Sequence, residues 1–177
     1  SLSDLAAINV IKNSKYEFKA VDFVPDGSDE RQFCSPGFNL PIGLIMRKMF
    51  GTFKEYHNSL DDENFISFKK IIESIKIYHD VLLTIENNFV PIGRVQYGTP
   101  KLSKSKINLY NNLMNFQTSE EKGEKTRFIL ETLNLAEGNM DLLQISELKG
   151  FKLIDHISTI EDLIKAKFIK KVESSDN

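Results

Sequence analysis

Two polar stretches between residues 27 and 62 hold most of the side chains that could perform chemistry. The first, GSDERQ, contains the carboxylates Asp29 and Glu30 and the base Arg31, and the second, EYHNSLDD, contains His57 and Asp61. Each stretch is predicted to lie on a loop after a strand, and ligands of α/β sheets bind at the loops that leave the carboxyl ends of strands. The pattern therefore allows a polar site, although charged loops are usually solvated surface.

The histidines and the single cysteine each have two interpretations. His57 is either a surface or structural histidine or a metal ligand, with Asp61 four residues later as an orienting acid. Cys34 is either a nucleophile beside His57 or a small buried hydrophobic residue, and no papain-type or caspase-type sequence surrounds it, which favours the second. His79 and His156 are predicted to be structural.

The elements that must position these side chains follow from the apolar periodicity. A helix is predicted over residues 1–14 with Ser3 as its N-cap, and a second over residues 64–86, where apolar residues recur at three and four positions. Strands are predicted at residues 16–24 and 38–46. Two such strands leave an exposed sheet edge, so we expect a preceding segment to pair with them, and we expect poor solubility or association without it.

The second half of the chain is predicted to be a separate unit. Residues 89–117 contain prolines and glycines between short apolar pieces, which predicts a linker with short strands. Residues 118–177 follow the order helix, helix, turn, helix and strand, which is typical of a winged helix-turn-helix domain. The predicted elements begin near Ser119, Asp141, Asp155 and Phe168.

Charge and composition exclude several classes of protein. The chain has 177 residues, with 23 lysines and arginines against 25 acids and a net charge of −2, so no overall basic field attracts nucleic acid. From Gly138 to the end there are seven acids and six bases, which gives no basic stripe, and nucleic acid is not expected as a partner.

The cysteine content and hydropathy bear on the compartment. One cysteine excludes a disulfide framework and fits a reducing compartment. No apolar run approaches the ~20 residues of a membrane span, and the chain does not open on a signal sequence. A cytoplasmic location and no membrane partner are the expectation.

The run DFVPDGSDERQFCSPGFNLPIGLIMRKMFGTFKEYHNSLDD, residues 22–62, resembles part of a bacterial family of aminopeptidase-like zinc peptidases. The family is related to the co-catalytic zinc aminopeptidases and is often named for polysaccharide biosynthesis. Its members carry SDERQ and CSPGFNLP stretches and a Tyr-His-Thr/Ser block, and they end in a winged-helix domain. The resemblance implies an α/β fold: residues 1–88 are the C-terminal part of a zinc-aminopeptidase-like sheet with flanking helices, followed by the winged helix.

The resemblance also implies roles for individual residues. His57 matches the last zinc ligand, and Asp61 matches the acid that follows it and supports the ligand shell. Asp29 or Glu30 is the acid that would assist the reaction, and Arg31 would bind a substrate carboxylate. Ser28 and Asp29 match a Ser-Asp pair that lines the site, whereas Asn58 departs from the usual Thr.

The implied function is zinc-dependent hydrolysis of a peptide or an aminoacyl-type small substrate, with one or two zinc ions activating the attacking water. The upstream ligands of the wider clan have no counterpart here, and a catalytic zinc takes about three protein ligands. We therefore expect the chain to be the C-terminal portion of a longer enzyme, partnered by the N-terminal portion and inactive alone, with a homo-oligomer left open. The alternative is a non-catalytic or DNA- or protein-binding winged-helix protein with a degenerate peptidase-like domain.

Overall fold

A computed structural model of the chain describes residues 1–27, 29–95, 97–98, 100–102 and 120–172. The chain divides into two compact units, an N-terminal unit of Ser1–Ile85 and a C-terminal unit of Glu86–Asn177. Over the described part of the chain, no helix is long and apolar enough to cross a bilayer.

The N-terminal unit contains three helices, α1 (Leu2–Lys12), α2 (Asp29–Phe33) and α3 (Phe68–Glu86). The prediction of α1 is confirmed, but its cap is Ser1, which forms a capping box with Asp4. The predicted cap was wrong because the Ser3 hydroxyl donates to the Pro41 carbonyl at 2.6 Å instead.

Helix α3 is confirmed with a later start than predicted. The residues before it form a turn, in which the Asn64 N–H donates to Asp62 Oδ1 at 2.8 Å. The Ser67 hydroxyl then accepts from the Lys70 N–H at 3.4 Å at the beginning of the helix. The apolar periodicity predicted that the helix begins at residue 64, but the hydrogen bond from the Asn64 N–H to Asp62 holds this part of the chain in a turn.

The two strands predicted in the N-terminal unit are not formed. The prediction of an α/β sheet from these strands is therefore wrong for the described residues. Within residues 1–27 and 29–85, the backbone of 16–24 and 38–46 joins no ladder. Side chains bind the carbonyls of the second segment instead: Ser3 donates to Pro41, and the Tyr78 hydroxyl donates to Ile45 at 3.0 Å. A strand requires a ladder of hydrogen bonds to a neighbouring extended backbone, and among the described residues neither segment has such a ladder.

The C-terminal unit combines helices with one strand pair: β1 (Pro91–Gly93), α4 (Glu120–Leu135), α5 (Leu142–Lys149), a 3₁₀ turn (Leu153–His156), α6 (Ile157–Lys165) and β2 (Ile169–Lys171). The three predicted helices are confirmed where the structure describes them. Helix α5 begins with a capping box between Asp141 and Gln144 and ends at Gly150, whose φ of +72° is left-handed.

The strand pair connects residues that are far apart in sequence. β1 pairs with β2 in an antiparallel ladder that sets Ile92 opposite Lys170 and Gly93 opposite Ile169. On its other side, the Gly93 N–H donates to the Ala136 carbonyl at 2.7 Å. The strand found in the segment predicted as a linker is thus part of the C-terminal unit, whereas residues 103–117 of that segment lie outside the described residues.

The C-terminal unit has its own apolar core. Its fully buried side chains include Phe128, Leu142, Leu143, Ile145, Phe151, Leu153, Leu163 and Ile169. His156 is part of this core, because its ring stacks on Phe128 at 4.1 Å and meets Phe151 edge-on at 5.4 Å. The prediction that His156 is structural is therefore confirmed.

Candidate functional site

The first polar stretch forms the short helix α2. Asp29 and Arg31 are exposed on it, and Glu30 is half-buried. The Glu30 carboxylate folds back against Gly27, at the place where a Cβ atom of residue 27 would stand. A side chain at residue 27 would displace the Glu30 carboxylate, so this arrangement depends on glycine there. Ser28 lies outside the described residues.

The CSPGFNLP stretch that follows α2 closes on itself through backbone hydrogen bonds. The Leu40 N–H donates to the Phe33 carbonyl and the Asn39 N–H donates to the Ser35 carbonyl, both at 2.9 Å. The chain reverses through left-handed conformations at Gly37, with φ of +95°, and at Asn39, with φ of +46°. Glycine and asparagine are the residues that tolerate this region, which explains their place in the motif.

Cys34 belongs to the same closed loop. Its half-buried thiol donates to the Leu40 carbonyl at 3.2 Å and to the Ile42 carbonyl at 3.4 Å. Both contacts are to carbonyl oxygens, which supply the sulfur with acceptors rather than with the base or cation that activates a nucleophile. The geometry thus favours the structural interpretation of Cys34 over the nucleophilic one.

The second polar stretch contains His57 in a strained and exposed position. The backbone of His57 has φ of +56°, a conformation that is costly for a residue with a Cβ atom. Its exposed ring stacks on the ring of Tyr56 with a centroid distance of 4.0 Å. Tyr56 in turn meets Phe53 edge-on at 5.6 Å, and Phe53 stacks on Phe65 at 5.8 Å. A small aromatic cluster therefore supports the imidazole.

Asn58 holds the turn that carries His57. Its Nδ2 donates to the carbonyls of Lys54 and Tyr56, and its Oδ1 accepts from the Leu60 N–H at 2.9 Å. The sequence analysis noted Asn58 only as a departure from threonine and missed this role. The available signal was that asparagine commonly binds the backbone two residues later in turns.

Asp61 lies at the end of the same turn. Its N–H donates to the Asn58 carbonyl at 3.1 Å, and its side chain is exposed. Within the described ranges, neither Asp61 nor His57 makes an ion pair. The proposed orienting contact between them is thus not made in this structure.

Arg47 attaches the chain before this loop to α3. It donates to the Lys70 carbonyl at 2.7 Å and to the Ser74 hydroxyl at 3.2 Å, and it pairs with Glu73 at 3.4 Å. Hydrogen bonds from Lys70 and Tyr16 hold the pKa of Glu73 below its ordinary value, although desolvation opposes them. The sequence analysis missed Arg47, because no local pattern distinguishes an anchoring arginine from a solvated one.

The N-terminal unit exposes an unusually large apolar surface. Its described buried hydrophobic residues are Ala6, Val10 and Val81, whereas Phe68 and Leu82 on α3 are 80% and 66% exposed. Many other large hydrophobic side chains of the unit are also exposed, among them Phe18, Phe23, Phe38, Leu44, Met49, Ile66, Ile72 and Ile75. Surfaces of this extent mark contact sites for other polypeptide.

No metal centre is complete among the described residues. They contain no group of three or more histidine, cysteine, aspartate or glutamate side chains placed to hold an ion. The structure instead gives two separate polar groups, with Asp29, Glu30 and Arg31 on α2 and with His57 and Asp61 on the later loop.

Comparisons with known proteins agree with these features. Residues 1–88 match the family described as a domain of unknown function (DUF4910). A Clostridium acetobutylicum protein named "Putative polysaccharide biosynthesis protein with aminopeptidase-like domain" is 34% identical over 143 residues, which cover 81% of this chain and 32% of that protein.

A solved structure is similar as well. The crystal structure of a "putative peptidase" from Clostridium acetobutylicum matches 96% of this chain and 36% of its own chain, with a TM-score of 0.76 and 29% identity. The chain thus spans about a third of the length of both relatives. The chain is thus similar in sequence to a protein with an aminopeptidase-like name and in fold to a putative peptidase, and its residues 1–88 match the DUF4910 family.

Proposed function

We propose that this chain contributes to a zinc-dependent, aminopeptidase-like hydrolase, in which His57 is one of the metal ligands. The observation that carries the proposal is the exposed imidazole of His57 on a hydrogen-bonded turn with a positive φ. Strained backbone conformations at exposed polar residues cluster at active sites and ligand-binding sites. The similarity to a sequence and to a crystal structure with peptidase-type names supports the same assignment.

The described residues do not suffice to hold the metal. A catalytic zinc takes about three protein ligands, and no group of three is present in the described part of the chain. We infer that the remaining ligands come from polypeptide that corresponds to the uncovered two thirds of the relatives. The exposed apolar surface of the N-terminal unit is suited to pack against that polypeptide.

The other residues of the proposed site would act on the substrate. Asp29 and Arg31 are exposed on α2, so the carboxylate could assist proton transfer and the guanidinium could bind a substrate carboxylate through two hydrogen bonds. Asp61 makes no contact with His57 in this structure and would orient the histidine only in the completed site, and Glu30 is the second candidate acid. A peptide or an aminoacyl-type small molecule is the substrate that this arrangement implies.

The alternative is a degenerate peptidase-like domain that binds without turnover, attached to a winged-helix unit. The C-terminal unit favours it, because its helices and strand pair have the element order of a winged helix and it has a core of its own. Under this alternative the metal content would be negligible.

Metal analysis of variants tests the proposal. The chain is expressed together with the segment that corresponds to the rest of the relatives, and bound zinc is measured by plasma mass spectrometry. His57→Ala should lose bound zinc and the hydrolysis of an aminoacyl anilide. His79→Ala is the matched control, because His79 is also exposed but lies on α3. Unchanged zinc in the His57 variant would contradict the proposal.

A further inference from the structure

Helix α3 has a buried side and, roughly opposite to it, an exposed apolar side. On the buried side, Val81 and Thr84 lie inside the N-terminal unit. The other side presents a row of apolar residues that we call the outer stripe: Phe68, Ile71, Ile72, Ile75, Tyr78 and Leu82. Each of the six is at least 44% exposed. A helix that is apolar on both sides is typical of the interior of a larger structure.

The width of the outer stripe indicates the kind of surface that it fits. Successive residues of a helix are turned by about 100°, so the six side chains span an arc of about 120°. The seam between two helices of a coiled coil is narrower, whereas a helix that faces a core has an apolar arc of about 100° or more. His79 lies on the same side, with its Nδ1 3.6 Å from Asp80, and adds no apolar surface. The outer stripe therefore fits a broad apolar surface better than it fits one helix of a second copy.

The same helix is attached to the part of the chain that leads to His57. Arg47 donates to the Lys70 carbonyl at 2.7 Å, and the Tyr78 hydroxyl donates to the Ile45 carbonyl at 3.0 Å. These contacts hold the segment before the His57 loop against α3. A polypeptide bound to the outer stripe would thus be connected to that segment through a single helix.

We propose that the outer stripe docks the polypeptide that lies outside the matched third of the similar proteins. This chain covers 32% of the similar sequence and 36% of the similar crystal chain, so about two thirds of each has no counterpart here. That polypeptide is long enough to present a broad apolar surface to α3. Its identification as the source of the remaining metal ligands rests on the proposed function, but the docking itself requires no metal.

The test measures co-purification. The intact chain carries an affinity tag and is expressed together with the untagged segment of the Clostridium acetobutylicum protein that lies outside the matched region. The first variant is Ile75→Lys with Leu82→Lys in the outer stripe. The control is Leu130→Lys with Leu148→Lys, which places the same charges at exposed leucines of the C-terminal unit. The circular dichroism of all variants is compared.

We expect the unmodified chain to retain the segment in the presence and absence of a chelator. The outer-stripe variant should retain at least about tenfold less, because two charges would be buried at the contact without partners. The control should retain most of the segment.

His57→Ala separates docking from metal binding. It should retain the segment while it loses zinc. If His57→Ala kept its zinc while the outer-stripe variant lost the segment, the proposed function would fail and the docking proposal would stand. If the outer-stripe variant kept the segment while His57→Ala lost zinc, the docking proposal alone would fail.

Other results would also overturn the docking proposal. They are equal losses in the outer-stripe and control variants, no co-purification with the unmodified chain, and a discrete dimer of the unmodified chain that persists when the segment is present. Flotation of the chain with anionic phospholipid vesicles in the presence of the segment would assign the outer stripe to a membrane instead. If the outer-stripe variant loses its native circular dichroism, Ile75→Ser with Leu82→Ser is measured, and unchanged retention by that variant would contradict the proposal.

Discussion

His57 and Asn58 illustrate how one residue stabilises the backbone conformation of its neighbour. The left-handed conformation of His57 costs about 1–3 kcal/mol. The Asn58 side chain offsets this cost with hydrogen bonds to Lys54, Tyr56 and Leu60. The imidazole is thus presented outward by a turn whose geometry is set locally.

The strain at His57 gives a prediction that does not depend on metal. His57→Gly should stabilise the turn by about 1 kcal/mol relative to His57→Ala, because glycine adopts positive φ without steric cost. The measurement is hydrogen exchange at the amides of Leu60 and Asp61, which should be about fivefold slower in the glycine variant. Equal exchange in the two variants would show that residue 57 is not strained.

His156 predicts a pH dependence of stability. Burial against Phe128 and Phe151 lowers the pKa of His156, although Glu124 and Asp155 oppose this and Lys125 adds to it. Because the unfolded chain binds the proton more readily, the free energy of unfolding should be constant above about pH 6.5 and should fall below it, by at most about 1.4 kcal/mol per pH unit.

Denaturant unfolding at pH 7.5, 6.5 and 5.5 measures this dependence. The control is His156→Phe, which keeps an aromatic ring in the core and removes the titrating group. The fall between pH 6.5 and 5.5 should be smaller in the variant. An equal fall in both proteins would assign the pH dependence to other groups.

At the scale of elements, the capping box of α5 is the local interaction with the clearest energetic consequence. The Asp141 carboxylate accepts from the Gln144 N–H at 2.7 Å, and the Gln144 side chain accepts from the Asp141 N–H at 2.9 Å. Asp141→Ala should reduce the free energy of unfolding of the C-terminal unit by about 1 kcal/mol.

The control for the capping prediction is Asp155→Ala. Asp155 lies within the 3₁₀ turn without capping it, and its exposed carboxylate forms an ion pair with Lys152 at 3.8 Å, which contributes little. Denaturant unfolding should show a clearly smaller loss for Asp155→Ala. Equal losses of unfolding free energy in the two variants would show that the capping box is not the cause of the loss.

The elements that could be predicted are those whose stabilising interactions join residues close together in the sequence. Helices α1, α3 and α5 follow from apolar periodicity and from capping residues within a few positions, so the sequence contains their cause. The expected strands at 16–24 and 38–46 did not form, because strand formation depends on a partner that the sequence pattern does not specify. The pairing of β1 with β2 was missed for the same reason: it joins segments more than 70 residues apart.

The candidate site was predictable to a lesser degree. Residue types and the resemblance selected five residues, and the structure places Asp29, Glu30 and Arg31 on the short helix α2 and His57 and Asp61 on a later loop. The role of Asn58 and the anchoring of Arg47 on α3 depend on tertiary geometry, and the sequence alone did not indicate them.

At the scale of the whole molecule, the two units differ in how they bury apolar surface. The C-terminal unit has a core around Phe128, Phe151 and Leu163. The N-terminal unit leaves most of its large hydrophobic side chains exposed, including those along α3. The length of the relatives provides polypeptide that could cover this surface, since the chain spans about a third of them.

This difference predicts self-association of the chain when it is expressed alone. Sedimentation velocity should show oligomers that increase with concentration, and Ile75→Lys with Leu82→Lys on α3 should reduce them, because both residues are more than half exposed and apolar. The control is Lys76→Arg, which keeps the charge at a neighbouring exposed position. A monomer that melts cooperatively at all concentrations would contradict the prediction.

The closed loop after α2 also provides a criterion for comparing sequences. Because its reversal passes through Gly37 and Asn39, a homologue with valine or isoleucine at either position should be unable to close the ring between Phe33 and Leu40. Such a protein would keep most residues of the motif but lose the closed backbone conformation of the loop. Those two positions should therefore count for more than overall identity when new sequences are assigned to this group.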